Sequence, residues 1–233
     1  MQAVILAAGL GKRLKPLTDK VPKPMVEVGG RPILEYTFSI LPGVIDEVIL
    51  VVGHKKEKII EHFGDAYNNL PIKYVEQHDL NGTAGALELT RPHLRPGLFL
   101  FLYGDDLYHP EDLAEVVAST EPVVLVKEVE NPSQFGVCLV DEDGYLVDLI
   151  EKPEHSPSNL VNPGVYLLEP EILDVPKVQL PNGEYNLAAQ IGKWAAKRKI
   201  KTIKARFWHA IGYPEDVIRG HAFLTLPPNQ RRN

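Results

Sequence analysis

The sequence predicts an α/β protein with a mostly parallel sheet and helices on both faces of that sheet. Short apolar runs of strand length alternate with helical stretches through the first half of the chain. The first apolar run ends abruptly in a loop that contains Gly9 and Gly11. The length of 233 residues is sufficient to bury a full core. Together these observations favour a fold whose ligands bind beyond the carboxyl ends of the strands.

The first half of the chain repeats the strand-then-helix order. Apolar runs bounded by turn residues predict strands at residues 2–8, 46–52, 72–76 and 98–103. Helices are predicted between and after them, at residues 32–41, 55–63, 83–94 and 110–118. Pro32 suits the first turn of its helix, and Pro92 is expected to end the third helix. Gly9 and the Gly104–Asp105 pair both follow strand ends, where a ligand site is expected.

The second half changes pattern after residue 121. Strands are predicted at residues 123–129, 136–140, 145–150 and 165–168, and Asp143–Gly144 is the turn that joins the second and third of these. A helix at residues 184–199, a strand at 201–205 and a closing helix at 214–224 follow. We expect one compact domain at residues 1–225, divided into parts at 1–121 and 122–225, with residues 226–233 as a C-terminal tail.

Composition excludes several classes of protein. The formal charge of −6 argues against a nucleic-acid partner, and no apolar run is long enough to span a membrane. The apolar start at residues 3–8 is too short for a signal peptide, so we expect a cytoplasmic protein without a membrane partner. Cys138 is the only cysteine, which leaves no internal disulfide and predicts a buried structural thiol.

The loop after the first strand is strongly cationic for an acidic chain. Five cations opposed by one aspartate fall within a dozen positions: Lys12, Arg13, Lys15, Lys20 and Lys23 against Asp19. Glycine lets backbone N–H groups approach an anion, and lysine and arginine add charge-assisted hydrogen bonds, so the loop is predicted to bind phosphates. Leu14 replaces the third glycine of the dinucleotide fingerprint, and Arg13 replaces the Ser or Thr of the P-loop, so both of those loops are excluded.

The loop reads G-x-G-x-R-L-x-P-L-T and is followed by P-K-P-M. This pattern resembles the signature of the sugar-1-phosphate nucleotidylyltransferases. The resemblance implies a Rossmann-like nucleotidyltransferase (GT-A-like) fold, with residues 1–121 as the nucleotide-binding half and residues 122–225 as the sugar-phosphate-binding half. It also implies the reaction, in which a nucleoside triphosphate and a sugar 1-phosphate form a nucleotide sugar and pyrophosphate with Mg²⁺ as cofactor.

The resemblance assigns residues to the reaction centre and to the nucleotide. Arg13 matches the family arginine that holds the triphosphate, Lys23 the lysine near the α-phosphate, and Asp105 the Mg²⁺ ligand of the Gly-Asp motif. The attacking phosphate oxygen is already an anion, so the reaction needs neutralised charge and alignment and no side-chain base. The residues expected to contact the nucleotide are Ala8, Gly9, Gly11, Gln77, Gly82 and Thr83.

Two further motifs resemble the sugar-binding segments of the family. Glu151-Lys152-Pro153 resembles its E-K-P, in which the acid meets sugar hydroxyls and the lysine meets the sugar phosphate. The N-x-G-x-Y strand of the family, whose Asn and Gly line the sugar pocket, is matched at residues 162–166. The residues expected to contact the sugar phosphate are Gly136, Glu151, Lys152, Asn162, Gly164 and Glu184.

One departure from the family pattern bears on metal binding. The C-terminal motif W-x-D-[IV]-G-x-P-E-D is matched at residues 208–216, except that the second Mg²⁺ ligand of the family is Ala210 here. Asp106 and His209 are the neighbours that could compensate. An alternative therefore stays open, in which the protein binds a nucleotide or nucleotide sugar without turnover and regulates an active enzyme.

The sequence leaves the substrates open. Residues 22–36 resemble the mannose-1-phosphate guanylyltransferase branch, but uridylyl, thymidylyl and cytidylyl members share much of this segment. The expected form is the short one, without the C-terminal left-handed β-helix of many larger relatives. Oligomeric state is open as well, since relatives are often dimers or tetramers.

Overall fold

A computed structural model describes residues 1–225, and the predicted tail at residues 226–233 lies outside the described residues. The strands, β1 to β17 in chain order, are Gln2–Ala7, Glu27–Val28, Arg31–Pro32, Glu47–Val52, Ala66–Tyr67, Leu70–Glu76, Phe99–Tyr103, Leu107–Tyr108, Val123–Glu128, Gly136–Val140, Leu146–Glu151, Leu160–Val161, Val165–Leu168, Val178–Gln179, Tyr185–Asn186, Lys201–Lys204 and Trp208–His209.

The helices, α1 to α6 in chain order, are Ile33–Ser39, Lys56–Phe63, Thr83–Glu88, Pro110–Val117, Leu187–Ala195 and Pro214–Thr225. Short 3₁₀ helices lie at Lys12–Leu14, Leu17–Asp19, Lys23–Met25, Arg91–His93, Pro132–Gln134 and Pro170–Asp174. None of the helices in residues 1–225 combines the length and the apolar character needed to cross a membrane.

Within the described residues, one sheet runs in the order β11-β10-β12-β9-β13-β7-β1-β4-β6-β5, with β16 paired to β9 beside this row. The centre is parallel, because β1 pairs in parallel with both β4 and β7, and β6 pairs in parallel with β4. Antiparallel β13 joins β7 to β9, and β10 and β11 form the predicted hairpin. The predicted fold class is confirmed as a mixed sheet with a parallel centre and helices on both faces.

The register brings the carboxyl ends of the central strands to one edge. Ala7 at the end of β1 pairs with Val52 at the end of β4, and Leu6 pairs with Tyr103 at the end of β7. Val52 in turn pairs with Glu76, the last residue of β6. The segments that begin at residues 8, 53, 77 and 104 therefore leave the sheet side by side, as the predicted parallel order requires.

The core has two apolar layers, one on each face of the sheet, and a smaller third cluster that includes Leu14, Ile33 and Ile211. Alternate residues of β1 enter the two layers, with Ile5 in one and Leu6 in the other. Helices α1, α2 and α4 cover the first face, whereas α3 and α5 cover the second. Strands buried on both faces are apolar throughout rather than alternating, which explains the continuous apolar runs of the sequence. Cys138 is fully buried in the second layer, as predicted, and burial raises the pKa of its thiol to about 12.

The predicted helix at residues 83–94 is wrong in its second half. Helix α3 ends at Glu88, and the turn after it is closed by Thr90, whose amide and hydroxyl both donate to the Leu87 carbonyl at 3.0 and 2.7 Å. A threonine hydroxyl that bonds a nearby carbonyl competes with the helical pattern. Pro92 then lies in a separate 3₁₀ turn, so the helix ends earlier than proline alone would require.

The predicted helix at residues 184–199 is too long at both ends. Tyr185–Asn186 form β15 instead, and the Asn186 side chain caps α5 by accepting the Ala189 amide at 2.8 Å. Asparagine is a favoured N-cap, so this start was readable from the sequence. The helix ends at Ala195, and Glu184 lies in the turn before β15 rather than on a helix. Strand β12, inside a segment interpreted as a loop, was also missed because two residues show no periodicity.

Candidate active site

The glycine loop between β1 and the first 3₁₀ helix is held in one tight conformation. Gly11 has φ +59°, and a Cβ there would lie 2.9 Å from both Lys23 Cβ and Thr18 Cγ2. The Thr18 hydroxyl donates to the Gly11 carbonyl at 2.9 Å. Leu14 is buried, whereas Arg13 beside it is exposed. Glycine is therefore required at residue 11 by both backbone and space. Lys12, Arg13, Lys15 and Lys20 face solvent around the buried Leu14, whereas Lys23 is largely buried.

Lys23 meets Asp105 across the edge of the sheet. Its Nζ lies 2.7 Å from Asp105 Oδ2 and 3.8 Å from Asp106 Oδ1. Burial lowers the pKa of Lys23, but the two carboxylates outweigh it, so the net pKa is raised and the ammonium stays charged. Asp105 keeps 31% of its side chain exposed, so its carboxylate is open to a ligand. The predicted phosphate-binding cation and the predicted metal-binding carboxylate thus lie together, although they are about eighty positions apart in sequence.

Asp106 has a structural use that sequence analysis missed. It is buried, and its carboxylate accepts the Trp208 indole N–H at 3.0 Å and the Ile211 amide at 2.9 Å. Burial raises its pKa, and Asp105 raises it further, while Lys23 opposes both. His209 is also engaged, with Nε2 at 2.7 Å from the Asp216 carbonyl. The two residues that could compensate for Ala210 are therefore already occupied in holding the C-terminal segment in place.

The C-terminal segment at residues 207–213 borders the glycine loop. The Arg13 guanidinium carbon lies 5.2 Å from the centre of the Tyr213 ring. Asp216, at the start of α6, accepts the amides of Gly212 and Tyr213 at 2.9 and 2.8 Å. This placement holds the aromatic ring against Arg13, a cation–π contact that orders an otherwise exposed guanidinium.

The predicted base-binding segment follows β6. Gln77 is buried, and its side-chain amide donates to the Gly82 carbonyl at 3.1 Å and to Asn81 Oδ1 at 3.3 Å. Gly82 has φ +103°, and a Cβ there would lie 2.3 Å from the Tyr185 carbonyl oxygen. Thr83 accepts the Leu187 amide at 2.9 Å. This segment is a rigid turn locked against the chain just before α5.

Gly53 links this turn to the glycine loop. It follows β4, and a Cβ there would lie 3.0 Å from Ala8 Cβ and 3.2 Å from the Gln77 carbonyl oxygen. Ala8 and Gln77 are therefore separated by little more than one backbone strand, so the structure brings these two predicted nucleotide residues together. Gly9 is exposed, and no atom lies within 4 Å of the place of its Cβ, so space alone does not require glycine there.

The predicted sugar-binding residues form a second cluster. A Cβ at Gly136 would lie 3.4 Å from Glu151 Oε2 and 3.6 Å from Asn162 Nδ2. The Asn162 carboxamide accepts the Gly164 amide at 2.8 Å. A Cβ at Gly164 would meet the Tyr103 ring at 2.1 Å. Four of the six predicted residues thus lie together, and neighbouring side chains pack closely against the two glycines among them.

Lys152 and Glu184 lie at the margins. Lys152 is exposed with φ +44°, and its Nζ is 3.4 Å from Glu151 Oε1. Glu184 is exposed in the turn between β14 and β15, one residue before the Tyr185 backbone that packs on Gly82. The structure therefore places Glu184 beside the nucleotide segment, and its assignment to the sugar phosphate stays a prediction.

Tyr103 connects the two clusters and was not predicted as a site residue. Burial raises the pKa of its hydroxyl and the nearby Glu151 carboxylate raises it further, whereas hydrogen bonds with Tyr166 and Thr83 lower it. It therefore touches both the base segment and the sugar cluster. A tyrosine at the end of an otherwise fully apolar strand, directly before Gly104–Asp105, was the available signal.

The donor set suits a hard divalent cation that is also held by substrate. Within residues 1–225, no group of three or more His, Cys, Asp or Glu side chains is arranged to hold a metal. Mg²⁺ commonly takes only one or two carboxylates and completes its shell with phosphates and water. Asp105, a partly exposed carboxylate at the edge of the phosphate-binding loop, fits that role.

Comparison with known proteins agrees with this geometry. A family model described as Nucleotidyl transferase matches residues 2–226. The chain is 40% identical over 228 residues to the bifunctional protein GlmU of Methanococcus aeolicus, which covers 96% of this chain and 54% of that protein. It is also 40% identical over 228 residues to the UTP--glucose-1-phosphate uridylyltransferase AglF of Haloferax volcanii, which covers 93% of each. The chain spans about half the length of the GlmU relatives that it matches.

Solved structures share the fold. A UDP-glucose pyrophosphorylase complexed with UDP-glucose matches with a TM-score of 0.83 and 23% identity, covering 95% of this chain and 97% of that one. A UDP-glucose pyrophosphorylase from Acinetobacter baumanii matches with a TM-score of 0.82 and 21% identity, covering 97% and 94%. At these identities the likeness is one of fold.

Proposed function

The chain belongs to the nucleotidyl transferase family, and on that premise we propose that it makes a nucleotide sugar from a nucleoside triphosphate and a sugar 1-phosphate. One observation carries the proposal. Lys23 Nζ and Asp105 Oδ2 lie 2.7 Å apart at the edge of the sheet where the glycine loop begins. A cation and a carboxylate held together beside such a loop are suited to receive a phosphoryl group and the metal that accompanies it.

The proposed reaction is a displacement at the α-phosphorus. An oxygen of the sugar 1-phosphate forms a bond to that phosphorus, and the bond from it to the bridging oxygen of the leaving pyrophosphate breaks. The attacking oxygen carries its own negative charge, so no proton has to be removed first. The site therefore has to bind two polyanions, align them and neutralise the charge that develops at the α-phosphate.

The side chains divide that task. Arg13, with its guanidinium ordered on Tyr213, binds the β- and γ-phosphates that leave as pyrophosphate. Lys23, which packs against Gly11 and pairs with Asp105, would turn its ammonium toward the α-phosphate oxygens when the triphosphate binds. Asp105 would hold Mg²⁺, which when bound supplies positive charge to the phosphates and fixes their orientation. Glu151, Asn162 and the backbone at Gly136 and Gly164 would receive the sugar.

We propose UTP and a hexose 1-phosphate as the substrates. The supporting observation is that AglF, named a UTP--glucose-1-phosphate uridylyltransferase, is 40% identical to this chain along nearly its full length. The UDP-glucose pyrophosphorylase structures share its fold. A guanylyl transfer to mannose 1-phosphate is the competitor, because residues 22–36 resemble that branch.

Pyrophosphate release tests this function directly. Purified protein is assayed with MgCl₂ against ATP, GTP, CTP, UTP and dTTP, each paired with glucose 1-phosphate, mannose 1-phosphate and an amino-sugar 1-phosphate. Release that requires UTP and one sugar phosphate is expected, and it should disappear with EDTA and return with added Mg²⁺. Release only with GTP and mannose 1-phosphate would overturn the proposed substrates.

The regulatory alternative rests on Ala210, which supplies no ligand atom. If it were correct, nucleotide would bind by calorimetry while no pair supported release, and Ala210→Asp would restore turnover. Ala66→Asp, which adds a carboxylate at an exposed position of β5, is the control. Under the proposed function the wild type turns over, and Ala210→Asp lowers only the Mg²⁺ concentration needed for half-maximal rate, because a second carboxylate strengthens a site held by few ligands.

A further inference from the structure

Lys55 adopts a backbone conformation that lysine rarely takes. Its φ is +57° and its ψ is +34°, at the position directly before α2. Within residues 1–225, the non-glycine residues with positive φ are Lys55, Asn68, Asn69 and Lys152. Asparagine is common in this left-handed region, but lysine is not. The two lysines are therefore the unexpected members, and Lys152 is already one of the predicted site residues.

The strained backbone directs the Lys55 ammonium onto the glycine loop. Lys55 Nζ donates to the Thr18 carbonyl at 2.7 Å and to the Asp19 carbonyl at 2.7 Å. Those carbonyls belong to the last residues of the 3₁₀ helix Leu17–Asp19. A cation at that end of a helical turn satisfies carbonyls that have no partner within the turn. The contact spans 36 positions and ties the end of β4 to the phosphate-binding loop.

Thr18 connects Lys55 to two predicted phosphate-binding residues, Gly11 and Lys23. Its hydroxyl donates to the Gly11 carbonyl at 2.9 Å, and its Cγ2 packs where a Cβ of Gly11 would lie. On the other side, Gly11 packs against the Cβ of Lys23. The contacts run without a break from Lys55 through Thr18 and Gly11 to Lys23.

We propose that Lys55 is a positioning residue for nucleotide binding, which holds the glycine loop in the conformation that receives the triphosphate. It acts through Thr18 and Gly11 and does not touch substrate. In the conformation observed, the ammonium at the end of the strained Lys55 backbone reaches both carbonyls. Strained residues that the surrounding contacts hold in place are concentrated at functional sites. The proposal deepens the proposed function and rests on it for the identity of the ligand.

Four variants separate the effects of the position of the lysine, the charge of its side chain and the strain of the Lys55 backbone. Lys55→Ala removes the ammonium, and Lys55→Arg retains a cation that can donate to both carbonyls. Lys55→Gly removes the ammonium while relieving the backbone, so its comparison with Lys55→Ala separates loss of the ammonium from backbone strain. Lys56→Ala is the matched control, since Lys56 is the next residue and forms an ion pair with Glu76 instead.

The readouts are amide hydrogen exchange of residues 11–20 in the ligand-free protein, UTP affinity by calorimetry, and steady-state KM values for both substrates. We expect exchange in this segment to accelerate at least tenfold in Lys55→Ala and Lys55→Gly, with UTP affinity falling fivefold or more. The KM for the sugar 1-phosphate should change less than twofold. Lys55→Arg should recover most of the affinity, and Lys56→Ala should match the wild type.

Exchange and UTP affinity in Lys55→Ala equal to those of Lys56→Ala would overturn the positioning role. Equal losses in the KM of both substrates, accompanied by a lower melting temperature, would also overturn it in favour of a general stabilising role. If the wild type binds none of the nucleoside triphosphates, the proposed function fails. The inference that Lys55 positions the loop for nucleotide binding then fails with it. Amide hydrogen exchange in the ligand-free protein needs no substrate, so it still tests whether Lys55 holds residues 11–20 in place. It therefore distinguishes failure of the positioning role from failure of the proposed function.

Discussion

Lys23 and Asp105 form a largely buried ion pair, in which each charge is compensated by the other. Their 2.7 Å ion pair explains why the pKa of Lys23 is raised although burial acts to lower it. Removing one member of a buried pair leaves the other charge uncompensated. In the proposed reaction the same ammonium neutralises the α-phosphate, so its removal affects the transition state more than the ground state.

Lys23→Ala should therefore lower kcat/KM by well over tenfold, about 2–4 kcal/mol, the scale of one preorganised transition-state contact. Pyrophosphate release per mole of folded protein, with folding checked by circular dichroism, is the measurement. Lys20→Ala, at an exposed lysine of the same loop, is the control and should stay close to the wild type. Activity of Lys23→Ala within twofold of the wild type would remove Lys23 from the reaction centre.

Among the elements, the turns between strands and helices define the site. The turn at Gly82 and the strand β15 are in close contact, because the Tyr185 backbone occupies the space a side chain would need. At the other border, the first turn of α6 holds residues 212–213 against Arg13 through Asp216. Both are contacts between segments distant in sequence, so their strength can be measured by unfolding.

Gly82→Ala should be more destabilising than Gly97→Ala. The two glycines have nearly the same φ, +103° and +100°, but no atom lies within 4 Å of the Cβ position at Gly97. Both variants should lose about 1–3 kcal/mol to the positive φ, and Gly82→Ala should lose roughly 1–3 kcal/mol more to overpacking against Tyr185. Urea unfolding of the pair gives the difference directly, and equal losses would show that the close approach at Gly82 is not energetically significant.

Asp216→Ala should cost about 1–2 kcal/mol of the free energy of unfolding at neutral pH, the scale of a lost helix cap. Burial alone would raise the pKa of Asp216, but bonds from Arg219, Gly212 and Tyr213 outweigh it, and the pKa lies below its ordinary value of 3.8. The unfolded chain therefore binds the proton more tightly. The stabilisation is fully present above that ordinary pKa and is lost as the pH falls through the folded pKa.

Chemical unfolding of wild type and Asp216→Ala at pH 7 and at about pH 3 checks this sign, since the gap between them should narrow in acid. Glu215→Ala, at the exposed neighbour in the same helical turn, is the control for the loss of one negative charge. A gap that widens in acid would contradict the assignment of Asp216 as a charged cap.

Over the whole molecule, the sheet joins two halves that would bind different substrates. Strands β1, β4, β6 and β7 carry the proposed phosphate and base residues, whereas β10, β11 and β13 border the proposed sugar pocket. Tyr103, at the end of β7, lies where the two meet, against Thr83 on one side and Gly164 on the other. Substrate binding should therefore stabilise the fold as a unit.

UTP with Mg²⁺ should raise the melting temperature more than GTP at the same concentration. A ligand at a hundred times its Kd stabilises by about 2.7 kcal/mol, which for a chain of this size is roughly 5–10 °C. Differential scanning fluorimetry measures the shift, and Arg13→Ala should abolish most of it. Equal shifts from UTP and GTP would sink the proposed base preference while leaving phosphate binding intact.

The fold class and the loops of the candidate site could be predicted from local sequence. Continuous apolar runs of strand length predicted the α/β class because central parallel strands are buried on both faces. The spacing of Gly11, Arg13 and Lys23 predicted the phosphate loop, and Gly104–Asp105 was predicted at the same edge because parallel strands end together. The end of α3 and the start of α5 were predicted incorrectly, since they depend on local side-chain hydrogen bonds of Thr90 and Asn186 that periodicity does not register.

Tertiary structure alone decided the parts that depend on distant contacts. Asp106 became the anchor of Trp208 and Ile211, which lie more than a hundred positions away. Tyr103 packs against Gly164, and the Lys55 ammonium donates to the Thr18 carbonyl. A sequence pattern records which residues share a strand end or a helix face, because these follow from the backbone period. It does not record which side chain fills a gap left by a glycine elsewhere, because only the packed chain brings the two together.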